Sequence, residues 1–385
     1  MKTSMRPFAA IAEGCMTSAQ LRSFRRDLLC WYHQNRRDLP WRRDHYPYRV
    51  WISEIMLQQT RVAAVLDHYA RFLQRFPTVQ SLATAREASV LAAWSGLGYY
   101  HRARRMHQAA KVIARELDGR FPQTAEEWLA LPGIGRYTAA AIASIAFGEA
   151  VAVVDGNVER VLQRLGLNQL PRSKQGVGSK QGFGWKQGVG SKQGFGWKRR
   201  ASARRNDDGM QAALAAAPNG PEALWQYAEA LLDRDRPGDF NQAMMELGAT
   251  ICTPRAPQCP VCPLRRFCQS RGASPSPAQT ERKRKQLSYA VVRKNASVML
   301  VRRPSNASLM AGMWELPALD PSKLNGDAPL LQLRHSITDT DYRVTVFAIA
   351  PEEAEEVALP GRWVTPRQWE RLPLTGLARK ILRRL

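Results

Sequence analysis

Four cysteines fall within one short segment, Cys252, Cys259, Cys262 and Cys268, in the spacing Cys-x6-Cys-x2-Cys-x5-Cys. Thiolates packed this densely are soft donors suited to an iron–sulfur cluster. Structural zinc also takes four thiolates and stays open as the alternative, although zinc modules commonly present two Cys-x2-Cys knuckles and only one occurs here. Disulfides are disfavoured, because no secretory segment is evident and Cys15 and Cys30 lie far from the quartet.

Two acids offer a different chemistry. Asp155, in Val153-Val-Asp-Gly-Asn-Val-Glu-Arg-Val, follows an apolar stretch at the expected start of a helix, where capping is the usual work of Asp. Glu54 lies in Trp51-Ile-Ser-Glu-Ile-Met-Leu-Gln-Gln-Thr, flanked by Ile52, Ile55 and Met56. It either faces solvent from an amphipathic helix or, held near apolar walls, has a raised pKa and serves as a general acid. Between the two acids, Leu131-Pro-Gly-Ile-Gly-Arg-Tyr-Thr-Ala reads as a turn between helices, with Gly133 and Gly135 permitting tight backbone. Amides exposed at the start of the following helix can bind a phosphate.

The elements that must position these groups are mainly helical. From Leu21 to about Gly248, apolar residues recur at three- and four-residue spacings, and Pro and Gly cut the region into roughly ten short helices, an all-α domain leading into the cysteine loop. Beyond Cys268, Ser, Pro and Gly followed by Arg282-Lys-Arg-Lys read as a solvated linker. Tyr289–Val292, Ser297–Val301 and Tyr342–Ala350 are then strand-like, while Pro366–Arg371 and Thr375–Leu385 look helical, so a small α+β domain closes the chain. A perfect duplication, KQGVGSKQGFGW at Lys174–Trp185 and again at Lys186–Trp197, is too glycine-rich to offset its ordering entropy; an inserted surface loop is favoured over an auxiliary DNA-binding arm.

The 385 residues are 44% hydrophobic, enough for ordinary cores in two domains, and no apolar run approaches the length of a bilayer span. A secretory leader is not expected, since the Phe8–Ala12 patch is short and followed by Glu13. The chain therefore reads as cytosolic. Its formal net charge of +24 points to a polyanion, most simply nucleic acid. Arg172–Arg205 holds ten Lys or Arg and no acid, yet the remainder keeps a large positive excess.

The motifs SEIMLQQT, GLGYY, LPGIGRYTA, VVDGNV, MMELGATIC and the cysteine quartet occur in the order seen in adenine DNA glycosylases of the MutY type, within the endonuclease III superfamily. The resemblance spans about residues 20 to 269, and the tail is similar to the family's Nudix-like domain. It implies a helix-hairpin-helix glycosylase domain at 1–269 holding a [4Fe-4S] cluster, with a repeat insertion at 173–200, a basic linker at 270–285 and an α+β Nudix-like domain at 286–385. The implied activity is monofunctional excision of adenine mispaired with 8-oxoguanine or guanine in double-stranded DNA. Glu54 matches the acid that protonates adenine N7, and Asp155 the carboxylate that stabilises the oxocarbenium ion. Tyr137 and Asn157 match residues supporting that centre. Gln59 and Tyr99 match side chains that wedge into the vacated base stack, and Trp41 and Arg42 the adenine-pocket region, Arg42 equally able to contact phosphate. Gly133 and Gly135 are candidate DNA contacts through the phosphate-binding turn, and Arg255, between the first two cysteines, is a candidate phosphate contact.

Two departures qualify the match. The tail lacks the Arg-Glu-x-x-Glu-Glu core that would bind magnesium, so it should recognise rather than hydrolyse. The family's Phe-Ser-His lesion-reading element has only Arg334-His-Ser-Ile-Thr as a counterpart, which leaves Ser336 and His335 as candidate contacts. Lysine stands at the Tyr137 position in bifunctional relatives, so a phenol there argues against a Schiff base. An oxidised-pyrimidine glycosylase/lyase and a non-enzymatic DNA-binding protein remain the alternatives. The expectation is a cytoplasmic, nucleoid-associated monomer with no membrane partner.

Overall fold

The computed structural model describes residues 16–166, 221–271, 282–307, 310–320, 328–337, 340–356 and 361–385. The duplicated repeat and most of the expected linker lie outside them. In chain order the helices are α1 (Ser18–Asn35), α2 (Pro47–Leu57), α3 (Val62–Arg75), α4 (Val79–Thr84), α5 (Glu87–Trp94), α6 (His101–Arg115), α7 (Ala125–Leu129), α8 (Arg136–Phe147), α9 (Gly156–Leu165), α10 (Pro221–Leu231) and α11 (Pro237–Thr250). The tail contributes β1 (Lys283–Lys294), β2 (Ser297–Arg302), β3 (Trp314–Glu315), β4 (Leu331–Ile337), β5 (Thr340–Ile349), α12 (Pro351–Glu356), β6 (Arg362–Val364), α13 (Pro366–Trp369) and α14 (Gly376–Leu382). No described helix is long and apolar enough to cross a membrane.

The chain forms two compact units that alternate along the sequence. The first comprises Met1–Val50, Pro122–Ala130 and Ile134–Gln279; the second comprises Trp51–Phe121, Leu131–Gly133 and Thr280–Leu385.

In the first unit every residue of α8 from Thr138 to Ile145 is buried, which is the pattern of a helix enclosed by others. It ends at Gly148, whose φ of 71° forms a left-handed cap that β-carbons disfavour. Helix α9 buries Val158, Val161, Leu162 and Leu165, one stripe at helical spacing. Phe24 of α1 packs on Phe240 of α11 and, edge-on at 5.4 Å, on Phe267, which directly precedes the last cysteine. Gly248 of α11 lets that helix press against α9, since a Cβ there would sit 2.6 Å from Asn157 Cβ and 2.8 Å from its carbonyl oxygen.

In the second unit α3 to α6 gather around Phe72, Phe76 and Trp94, with Trp94 edge-on to Phe72 at 6.1 Å. The sheet has the order β3-β2-β1-β5-β4, with β6 on β2; β1 and β5 run parallel and the remaining pairs are antiparallel. Both faces are covered, so alternation divides the side chains between two cores. Tyr289, Val291, Val344 and Val346 meet Leu377 and Ile381 of α14 on one side, while Ala290, Val292, Phe347 and Ile349 meet Ala354 of α12 on the other. β1 takes in Lys283 to Lys285, which composition groups with a linker; their side chains stay exposed while their backbone pairs with Thr340 to Tyr342. The segment between α5 and α6 is tied to this sheet domain. Ser95 Oγ and Tyr100 OH both donate to the Leu374 carbonyl, at 2.7 and 3.1 Å, and Arg379 Nε donates to Ser95 Oγ.

Replacing Gly248 by Ala tests the α9–α11 contact. The helix-propensity gain of about 1 kcal/mol is outweighed by overpacking of about 1 to 3 kcal/mol against a backbone that cannot yield. A lower urea midpoint with an unchanged slope is the expected result.

Candidate active site and cysteine loop

Asp155 is the N-cap of α9 and more than a cap. Its Oδ1 accepts the amides of Asn157 and Val158 at 2.9 and 2.7 Å, and its Oδ2 accepts the Asn157 side-chain amide at 2.9 Å. Burial raises the pKa of this carboxyl, and the three hydrogen bonds together with the charge of Arg160 pull against that rise. The net displacement is upward. Asn157 passes the arrangement on, because Arg160 NH2 donates to Asn157 Oδ1 at 2.9 Å and to the Gly248 carbonyl at 2.6 Å, while Arg160 Nε donates to the Cys252 carbonyl at 2.7 Å. One continuous chain of polar contacts thus joins the carboxylate to the first cysteine.

The cysteine segment folds around Arg164, a buried residue one turn further along α9. Its guanidinium donates to Cys252 Sγ and to the carbonyls of Thr253 and Pro254, and Cys268 Sγ lies 3.2 Å from its own carbonyl. Two tight helical turns, Cys259–Val261 and Arg265–Phe267, curl the segment. All four thiols are partly exposed. Burial pushes the Cys262 thiol up to about 12, with Cys252, Cys268 and Cys259 adding to the rise. Cys259 is raised likewise, by burial and then by Cys268 and Cys252. The sulfurs of Cys252, Cys259 and Cys268 all act on Cys262 to disfavour its ionisation, and a positively charged iron centre is the kind of group that would favour its thiolate. The donor set fits an iron–sulfur cluster by its chemistry, although no three His, Cys, Asp or Glu side chains among the described residues converge closely enough to hold a single metal ion. Arg255 is exposed on this segment.

A second polar centre lies on α11. Glu246, with its side chain fully buried, receives Arg37 through both oxygens at 2.7 Å and Arg42 at 2.8 Å. Burial pushes this carboxyl up, but the two guanidinium partners outweigh it and hold the pKa at about 2. Arg42 also stacks over the Tyr32 ring, 5.6 Å from its centroid, and its neighbour Trp41 is buried. Tyr137, on α8, donates to the Met245 sulfur at 3.2 Å, adjacent to Glu246 in sequence.

The second unit holds Glu54, Gln59, Tyr99 and Gly133. Glu54 is 5% exposed within α2, among Trp51, Ile52, Ser53, Ile55 and Met56, all buried. The solvent-facing alternative is therefore excluded. Gln59 and Tyr99 are exposed at the tips of two turns, both with the left-handed φ uncommon outside glycine, 54° and 48°. Gly133 has a φ of +78°, and a Cβ on it would meet Arg105 Cβ at 2.4 Å, so glycine is required there twice over. Gly135 is the exposed N-cap of α8 in the first unit, with no side chain closing the helix start. Ser336, on β4, donates to Asp341 Oδ1 at 2.6 Å across its strand pair, and His335 beside it has a pKa lowered by burial and then by Lys380.

Residue pattern alone missed Glu246, Arg37, Arg160 and Arg164. Arg160 had a signal in its position one turn after Asn157. Glu246 had one in being an acid amid the apolar MMELGATIC run, but its partners are about two hundred residues away in sequence.

Helices joined by a glycine-bearing turn, an acid capping the head of one helix and a cysteine loop are the parts of a helix-hairpin-helix protein. Residues 52–177 match the HhH-GPD superfamily of base excision DNA repair proteins, and residues 288–384 match the NUDIX domain. The chain is 33% identical over 468 residues to the adenine DNA glycosylase of Rattus norvegicus, covering all of this chain and 81% of that one. It is 33% identical over 452 residues to that of Homo sapiens, covering 95% and 74%, and 34% identical over 372 residues to that of Arabidopsis thaliana, covering 84% and 51%. The chain belongs to the adenine DNA glycosylase family.

Two measurements test these centres. Because burial raises the Asp155 pKa, its carboxyl should titrate above the ordinary aspartate value of 3.8 in a carboxyl-detected NMR pH titration, and Asn157→Ala, which removes a donor to Oδ2, should move it higher still. For Glu246, whose pKa is depressed, the stabilising contribution is complete above the ordinary value of 4.5 and is lost as pH falls toward about 2. Urea unfolding should show Glu246→Gln flattening the stability profile across that window, and Arg42→Ala costing about 3 kcal/mol at neutral pH, the low end for opening a buried pair.

Proposed function

We propose that this adenine DNA glycosylase removes adenine mispaired with 8-oxoguanine or guanine in double-stranded DNA. Hydrolysis of the N-glycosidic bond is the reaction of the family. Adenine leaves poorly as an anion, so a proton must reach the base before the C1′–N9 bond breaks. Glu54, buried among the apolar residues of α2, supplies it to N7. The bonding pair departs with adenine, and the deoxyribose becomes an oxocarbenium ion. Asp155 sets an anion beside that cation, held in a fixed orientation by its three amide donors, and water completes the hydrolysis.

The observation that carries this reading is the Asp155 carboxylate. A simple helix cap needs one oxygen, whereas here the second oxygen is also oriented, by an asparagine itself held by Arg160. Tyr137 brings a phenol and no amine, which favours hydrolysis over lyase chemistry.

Gln59 and Tyr99 enter the vacated stack while the base is extruded, and the amides of the Gly133–Gly135 turn grip phosphate. Trp41 and Arg42 line the adenine pocket, with Glu246 and Arg37 holding Arg42 in place. Arg255 contacts phosphate from the cysteine loop. Cys252, Cys259, Cys262 and Cys268 would hold a [4Fe-4S] cluster, which when bound orders that loop. The sheet domain that opens with β1 at Lys283 reads the 8-oxoguanine strand through residues including Ser336. The protein works as a cytoplasmic, nucleoid-associated monomer.

The test is single-turnover excision on a duplex with one adenine opposite 8-oxoguanine, beside a thymine-glycol duplex, each resolved with and without alkali. Breakage of the adenine duplex only after alkali is expected, with no adduct trapped by borohydride. Alkali-independent cleavage of the thymine-glycol duplex would instead identify a pyrimidine lyase. Asp155→Asn should lower the adenine rate at least a thousandfold while DNA affinity stays within a few-fold, and equal loss of both would remove Asp155 from the chemistry.

A further inference from the structure

Arg102 is a charged residue buried to 5% exposure, and among the described residues no carboxylate pairs with it. It lies in the first turn of α6, where the positive end of the helix dipole disfavours an arginine. Such a group is costly and requires a local reason. Its partners supply one. NH1 donates to the carbonyls of Ile55 and Met56 at 2.8 and 3.0 Å and to that of Gln58, all in the final turn of α2 and the loop beyond, where carbonyls lack helical partners. NH2 donates to Thr60 Oγ1 at 3.1 Å and to the carbonyls of Leu97 and Gly98 at 3.3 and 3.2 Å. The guanidinium also stacks over the rings of Trp94 and Tyr99, at 5.3 and 5.5 Å. Burial pulls its pKa down to about 10, which still leaves it charged at neutral pH.

The two sets of acceptors belong to two turns, and their tips are Gln59 and Tyr99. Both tips hold left-handed backbone that a non-glycine residue adopts only when its surroundings over-determine it. We propose that Arg102 is a positioning residue that clasps the Gln58–Thr60 and Leu97–Tyr99 turns together, fixing the spacing and the strained backbone of the two wedges before DNA arrives. This rests on the wedge assignment of Gln59 and Tyr99 made above. The two terminal nitrogens of the planar guanidinium serve both turns at once, a span that the single nitrogen of lysine does not reproduce. Holding the wedges in advance removes an ordering cost from base extrusion.

The experiment uses the full chain with its iron content verified, and 2-aminopurine beside the target adenine opposite 8-oxoguanine to report extrusion, alongside single-turnover excision. Arg102→Lys should reduce both the fluorescence rise and the excision rate at least tenfold while duplex affinity changes less than threefold. In a Gln59→Ala/Tyr99→Ala background, adding Arg102→Lys should cost nothing further, because the clasp acts only through those side chains. If Arg102→Lys does not fold, Thr60→Val, which deletes one acceptor at a partly exposed position, should give a two- to five-fold loss of extrusion that likewise vanishes in the double variant. A Gln59→Ala/Tyr99→Ala protein that extrudes adenine normally overturns the wedge assignment and the clasp together. An impaired double variant accompanied by an Arg102→Lys, or failing that a Thr60→Val, that extrudes normally, or whose loss multiplies on that background, overturns the clasp alone.

Discussion

The carboxylate at the head of α9 is the constraint from which the first unit is organised. A helix start leaves amides without partners, and Asp155 answers two of them with one oxygen. That satisfaction fixes the side chain, and Asn157 fixes the other oxygen. Because Asn157 is also where α11 comes closest, Gly248 and Arg160 must be what they are: one admits the helix, the other ties it and the Cys252 backbone to the same asparagine. The cysteine loop is thereby built on the helix that presents the acid.

Arginine serves this fold as an internal connector as much as a contact for nucleic acid. Arg37 and Arg42 close on Glu246, Arg160 and Arg164 bind the cysteine loop to α9, and Arg102 spans two turns with no acid at all. Each exploits a planar fork that can reach several oxygens at fixed angles. A net charge of +24 is therefore only partly a measure of affinity for phosphate, because some of that charge is buried and already spoken for.

The tail shows how local pattern and register divide the work. Tyr289 to Val292 are legible as a strand because they are β-branched and aromatic, but their continuous apolar run conceals that alternate residues serve two different cores. β4, with Arg334, His335 and Ser336 along it, carries too many polar residues to read as a strand. Its backbone is nonetheless satisfied by β5, and pairing is what defines it. β3 and β6 are two and three residues long and owe their existence to β2.

By itself the sequence determined the local matters: the helical periodicity up to the cysteines, the cap at Asp155, the tight turn at Gly133, the thiolate-rich loop and the family to which these motifs belong in order. Each depends on residues within a turn or two of one another, where spacing along the chain is spacing in space. Tertiary structure decided whether Glu54 meets solvent or apolar walls, that Glu246 takes Arg37 and Arg42 as partners, and that Arg102 holds the turns of Gln59 and Tyr99. Those outcomes turn on burial and on contacts between segments tens to hundreds of residues apart. Desolvation and long-range pairing are properties of a packed interior, and an unpacked string of residues has no interior.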